Sequence, residues 1–291
     1  MRKILICLFT IGFTVSIAVA QEEVNRSLKV SKDGSVEVSN ISGSVTVTGW
    51  NKDEVEVTGT LGKGVKELEF ETSGDRTKIL VILPRNTKNV GETHLEIRVP
   101  KPSQVEIETV SATIDVSDVK GALDLHSVSG SITTTGKPRE VEVQSVSGNV
   151  EIDVDSPIVE VESVSGSVTM KGVSERVKAA NVSGDIEVVT DSIERAEFET
   201  VSGSISFTGD LSPDGRLEAQ SFSGIVELVL PASISAEFDI STFSGGIDND
   251  FGYKPEKSSF SVAKNLSFSM GSGDGRISVE TFSGKVRIKQ Q

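Results

Sequence analysis

Short runs of alternating apolar and polar residues recur along the chain, and the same small phrase splits each pair of runs. The phrase is Val128-Ser129-Gly130, Val146-Ser147-Gly148, Val164-Ser165-Gly166, Val182-Ser183-Gly184 and Val201-Ser202-Gly203. It continues as Phe222-Ser223-Gly224, Phe243-Ser244-Gly245 and Phe282-Ser283-Gly284, with Ile41-Ser42-Gly43 as an early copy and Val110-Ser111-Ala112 as a degenerate one. From Val110 the spacings are 18, 18, 18, 18, 19, 21, 21 and 39 residues. The last is near twice the period and reads as a lost phrase.

Aligned on the Val or Phe of the phrase, four columns are apolar. Five residues before it stand Val105, Leu123, Val141 and Val159; three before it stand Ile107, Leu125, Val143 and Val161. Four after it stand Ile114, Ile132, Val150 and Val168; six after it stand Val116, Thr134, Ile152 and Met170. The stretch ending at Val201 is one residue out of step, with Ala196 and Phe198 in these roles. Period two on each side of a Ser-Gly break predicts two strands with one buried face, joined by a tight corner. Ser129, Ser147, Ser165 and Ser183, with Gly130, Gly148, Gly166, Gly184, Gly203, Gly224, Gly245 and Gly284, are the candidate corner residues. The small polar residue before each phrase, such as Thr109, Ser127 or Ser145, suggests a ladder of hydroxyls along the stack, and the Ser within the phrase a second.

One such unit cannot bury its own apolar face, whereas stacked units can. The pattern predicts an all-β fold: a single-stranded parallel β-solenoid of about 18–21 residues per coil, wound right-handed by preference. An antiparallel sandwich is the competing architecture, but it gives no reason for one corner to repeat its residues. Residues 21–104 are less regular and read as first coils plus a cap. Residues 105–291 read as the repeats, interrupted by an irregular insertion near 248–275 that supplies strands around Phe260-Ser261-Val262 and Leu266-Ser267-Phe268. The final run, Lys285-Val286-Arg287-Ile288-Lys289, is expected to end the stack with outward charges that discourage end-to-end growth.

Residues 1–20 carry Arg2 and Lys3, an apolar run and Ala18-Val19-Ala20, the grammar of a secretory signal. No later run is apolar and long enough for a span, so an exported protein of the periplasm, cell surface or exterior is expected. The only cysteine, Cys7, lies in this leader, which excludes a disulfide scaffold from the remainder. The 43 acidic and 29 basic residues give a net charge of −14. That balance argues against a nucleic-acid partner.

The leader, Gly49-Trp50, Arg98-Val99-Pro100 and the serial Thr/Ser-Val-Ser-Gly corners together resemble a bacterial exported β-strand-repeat family catalogued under the name "putative adhesin". The resemblance spans nearly all of the chain beyond the leader. It implies a β-solenoid with a surface or envelope role, and no catalytic residues.

The search for chemistry returns little. Two histidines, His94 and His126, leave no triad for the serines. No nucleophile elbow, phosphate loop or metal-ligand spacing occurs. No catalytic residue, cofactor or metal is expected. Outward acids do fall in one column, Glu106, Asp124, Glu142 and Glu160, where adjacent like charges repel unless solvated or bridged by a divalent cation. Three readings follow. The first is a non-enzymatic, monomeric binding or structural module that meets an envelope component, a glycan or a host surface molecule. The second is a polysaccharide lyase or hydrolase on the acidic face, and the third a self-stacking scaffold. Four consecutive coils of fixed length leave no long loops to wall a cleft, which favours the first and third.

Overall fold

The computed structural model describes residues 22–85, 90–257 and 262–291. The leader read at residues 1–20 and the Phe260-Ser261 part of an expected strand lie outside the described residues. Among the described residues there is no helix, and so none long and apolar enough to cross a membrane.

The strands are β1 (Glu22–Lys29), β2 (Ser35–Trp50), β3 (Glu54–Leu61), β4 (Glu67–Ser73), β5 (Arg76–Ile82), β6 (Thr93–Pro100) and β7 (Gln104–Ser117). Then come β8 (Ala122–Ser127), β9 (Ile132–Gly136), β10 (Glu140–Ser147), β11 (Val150–Ser165), β12 (Val168–Ser183), β13 (Ile186–Ser202) and β14 (Ile205–Ser223). The last are β15 (Ile225–Leu230), β16 (Ala236–Thr242), β17 (Gly246–Asn249), β18 (Glu256–Lys257), β19 (Lys264–Met270), β20 (Gly275–Thr281) and β21 (Lys285–Gln290). All belong to one continuous sheet.

Through the body the pairing is parallel and its register is the repeat itself. Val141 faces Val159, Val159 faces Val177, and Val177 faces Ala196. The apolar columns are therefore neighbours in space, and all four are buried. Volume is balanced within a column, since Phe198 lies between Ala179 and Ala219. A large side chain between two small ones fills the layer without overpacking. The longer 19- and 21-residue spacings do not disturb the Ser-Gly corner. Their extra residues are absorbed at register shifts between Lys171 and Arg176 and between Ile193 and Arg195, the latter opposite a stretch holding Asp214 at φ 62°.

Both ends differ from a plain parallel stack. At one end β6 pairs antiparallel with β3, β3 with β1, and β5 with β4. At the other, β16 pairs antiparallel with β19, and β19 with β18. Neighbour order also departs from chain order. The strand β2 lies between β7 on one side and β5 and β6 on the other. This sets Gly49-Trp50 beside Val99-Pro100, with the Arg98 guanidinium 5.7 Å from the centre of the Trp50 ring.

At the far end the C-terminal pair is internal. Strand β20 lies between β14 and β16, and β21 between β15 and β17. This corrects the expectation that Lys285–Lys289 ends the stack. Its outward charges are paired laterally instead: Lys285 with Asp248 at 2.5 Å, and Lys289 and Arg287 with Glu227 at 2.9 and 3.7 Å. The 39-residue spacing is not a lost phrase either. It holds the out-and-back path of β18 and β19, which returns the chain to the gap beside β14.

Candidate functional site

The corner turns on parity. Positions five and three before each Val or Phe point inward, so the residue one before continues inward and the Val or Phe itself points out. The structure follows this rule. Thr109, Ser127, Ser145, Ser163, Asn181, Thr200, Ser221, Thr281 and Thr242 are buried. Val110, Val128, Val146, Val164, Val182, Val201, Phe222, Phe282 and Phe243 are 47–57% exposed. Nine consecutive rungs thus show one straight row of apolar side chains to solvent. The three phenylalanines stack in the order 222, 282, 243, each pair with centroids 4.9 Å apart.

Beside the row runs a groove of about 1070 Å³. The Val and Phe side chains form one wall and the buried small polar residues its floor. The other wall is the outward column two residues before the phrase, including His126, Gln144, Glu162, Glu199, Gln220 and Glu280. Ala263 and Asn265 lie at the far end, where the Lys264 ammonium donates to the Gly245 carbonyl at 2.6 Å. The next outward column carries Glu106, Asp124, Glu142, Glu160, Lys178, Glu197 and Glu218 in register. One basic side chain therefore stands among six acids. Lys178 binds Glu160 at 2.5 Å, and that hydrogen bond, with the charge of the same carboxylate, raises its pKa. The His126 ring lies 2.7 Å from Asp124.

The predicted corner residues fall on the far side of the exposed row. The Ser129 hydroxyl donates to the Val110 carbonyl at 3.0 Å, and Ser165 to Val146 at 3.2 Å. The Ser147 amide donates to the Val128 carbonyl at 2.9 Å, and the Ser183 amide to the Asn181 side chain at 3.1 Å. The serines of the phrase therefore reach backbone on the preceding rung or their own corner, and do not form the hydroxyl-to-hydroxyl ladder expected. On the buried side, Thr109 donates to Ser127 at 3.2 Å, and the Ser127 hydroxyl also donates to the Gly130 carbonyl. Among the described residues the hydroxyls of Ser145, Thr200, Ser221 and Thr281 find no partner, so this ladder is broken too.

Each glycine sits against the backbone of its neighbour. A Cβ would fall 1.8 Å from the Ala112 carbonyl oxygen at Gly130, 2.3 Å from that of Gly130 at Gly148, and 2.3 Å from that of Gly148 at Gly166. The same contact measures 2.2 Å at Gly184, 2.1 Å at Gly203, 1.8 Å at Gly224, 2.3 Å at Gly284 and 1.8 Å at Gly245. Lack of room, more than a special φ, accounts for glycine along this column.

Among the described residues no group of three or more His, Cys, Asp or Glu could hold a metal ion. The stacked acids Glu106, Asp124, Glu142 and Glu160 are neighbours, as their spacing predicts. The exposed apolar row is what the sequence reading missed. Parity across the phrase was the available signal: an apolar residue occupies an outward position in every copy.

No curated protein matches the chain. Solved structures align over most of it at low identity. A "putative adhesin" from Bacteroides fragilis is 11% identical, with 92% of this chain and 98% of that one covered and a TM-score of 0.48. Another from Parabacteroides distasonis is 12% identical, covering 93% and 98%, with a TM-score of 0.43. A "putative lipid binding protein" from Parabacteroides distasonis is 14% identical, covering 91% and 96%, with a TM-score of 0.41. The Toastrack DUF4097 profile matches residues 14–289; with all-β rungs throughout the described residues and a match of this length, the chain belongs to the Toastrack DUF4097 family.

Proposed function

We propose that this protein is a non-enzymatic, exported binding or structural module of the bacterial envelope, adhesin-like in presenting one long surface to a partner. The partner is an envelope component, a glycan or a host surface molecule. In this reading the chain winds as a right-handed, single-stranded β-solenoid, with residues 21–104 as less regular first coils and cap and 105–291 as repeats with an irregular insertion near 248–275. The glycine column from Gly130 to Gly284, with its flanking serines, serves as the structural corner. The single observation that carries the reading is the nine-rung exposed apolar row. Most monomeric proteins expose no contiguous apolar patch beyond a few hundred Å², and larger ones mark interaction surfaces.

The monomer reading rests on one end of the rod. There the outermost strands β1 and β4 run antiparallel to their neighbours and carry Glu22, Glu23, Arg26, Glu67, Glu69 and Glu71. Charge on an edge strand opposes addition of another chain.

The test is a pull-down from solubilised envelope, comparing the protein with a Val146→Ser, Val164→Ser, Val182→Ser variant. Components retained by the parent and lost by the variant support the reading; identical sets on both refute it. Release of new reducing or unsaturated ends from a glycan panel would instead establish an enzyme.

A further inference from the structure

We infer that the groove receives a basic amphipathic α-helix of another polypeptide, its apolar stripe on the Val/Phe row and its basic flank on the glutamate wall. The inference rests on the binding reading above and names the class of partner. Charge complementarity decides it. Glu162, Glu199 and Glu280 line the groove, and the adjoining column adds six acids against Lys178 alone. An anionic lipid surface is repelled by that wall. So is a second copy of this chain, which brings the same columns and a net charge of −14.

Geometry points the same way. An extended peptide cannot add to these rungs, because each interior strand is already paired on both sides. From Val128 to Phe243 there are eight rungs, or about 34 Å at the spacing of neighbouring strands. A helix of about 22 residues covers that length. Its turns repeat every 5.4 Å or so against ~4.8 Å between rungs, so about six turns span seven rung intervals, and the helix's apolar stripe lies along the continuous Val/Phe row without matching it rung for rung. The serines on the other side of the row are neutral, which leaves the glutamate wall to set the helix's orientation about its axis.

The probe is a fluorescein-labelled 22-residue Leu/Lys peptide with period-3.6 patterning. Controls are a scrambled peptide of the same composition and a Leu/Glu counterpart. Anisotropy titration against the purified protein is expected to show saturable binding of the patterned basic peptide only, with gain of helical circular dichroism. Glu162→Gln, Glu199→Gln, Glu280→Gln should weaken it about tenfold and flatten its salt dependence. Val164→Ser, Val182→Ser should weaken it with an unchanged melting temperature. Equal binding of the scrambled or Leu/Glu peptide, or no effect of either variant, overturns the inference. Binding of the protein itself to phosphatidylglycerol vesicles in the absence of peptide, or displacement of the peptide by neutral chito-oligosaccharides, also overturns it. If the peptide fails to bind while row-dependent envelope capture persists, the partner class falls and the binding reading stands.

Discussion

Gly166→Ala probes the packing of backbone on backbone at the corner. Gly166 has φ +115°, and its added Cβ would lie 2.3 Å from the Gly148 carbonyl oxygen. Two costs combine. Holding a non-glycine residue in that conformation costs on the order of 1–3 kcal/mol. Forcing the methyl against a carbonyl that no rotamer change can move adds about 1–3 kcal/mol, as for an overpacked core. Loss of about 2–6 kcal/mol is expected. Gly74→Ala is the control, because φ there is +60° but, among the described residues, nothing lies within 4 Å of the new Cβ. Its cost should be about 1–2 kcal/mol, from conformation alone. Urea unfolding followed by circular dichroism measures both. If Gly166→Ala is no more destabilising than Gly74→Ala, the rungs have room at the corner and the close-approach argument is wrong.

Other perturbations follow from the same geometry. Val161, fully buried between Val143 and Ala179, should lose at least about 4 kcal/mol on Val161→Asp, whereas exposed Glu162→Lys should stay within about 0.5 kcal/mol by the same urea assay. Phe282→Ala removes the middle of the aromatic stack and should cost about 1–3 kcal/mol from two ring contacts. Asp248 titrates below the ordinary carboxylate value of 3.8, chiefly because it accepts a hydrogen bond from Lys285. Its stabilisation is therefore complete above that ordinary value and is lost as pH falls through the lowered one. Melting curves of Lys285→Met should lie below the parent at pH 7 and converge on it in strong acid; an unchanged gap at both pH values would remove Asp248 from the account.

The body of the fold was readable because its signal is redundant. Residues eighteen apart, such as Val141 and Val159, share a column, and the columns alone dictate which strands lie side by side. The ends were not readable for the same reason. Rungs 217–228, 238–249 and 277–288 present the same inward pattern, so hydrophobicity cannot say which neighbours which. Strand direction at the ends depends on how the chain returns, and the turn at residues 270–273 before β20 does not itself say where the next strand lands. The corner chemistry was half legible: Ser-Gly announced a tight place, but only coordinates reveal that each glycine faces the carbonyl of the rung below. The apolar row is hidden by the repeat itself, because Val and Phe mark the break between two buried runs; only their outward parity, exposed along all nine rungs, distinguishes them from core residues.

The inserted C-terminal pair has a consequence for assembly. As the chain emerges, β16 and β17 become available before β20 and β21. The spacing from Phe222 to Phe243 equals that from Val201 to Phe222, so continued winding in order would lay residues 238–249 directly on 217–228. Such a contact would satisfy the same apolar columns as the native one, in which β20 and β21 stand between the two. The repeat thus allows any of these rungs to match any other, and their native order follows from the path of the chain rather than from the columns.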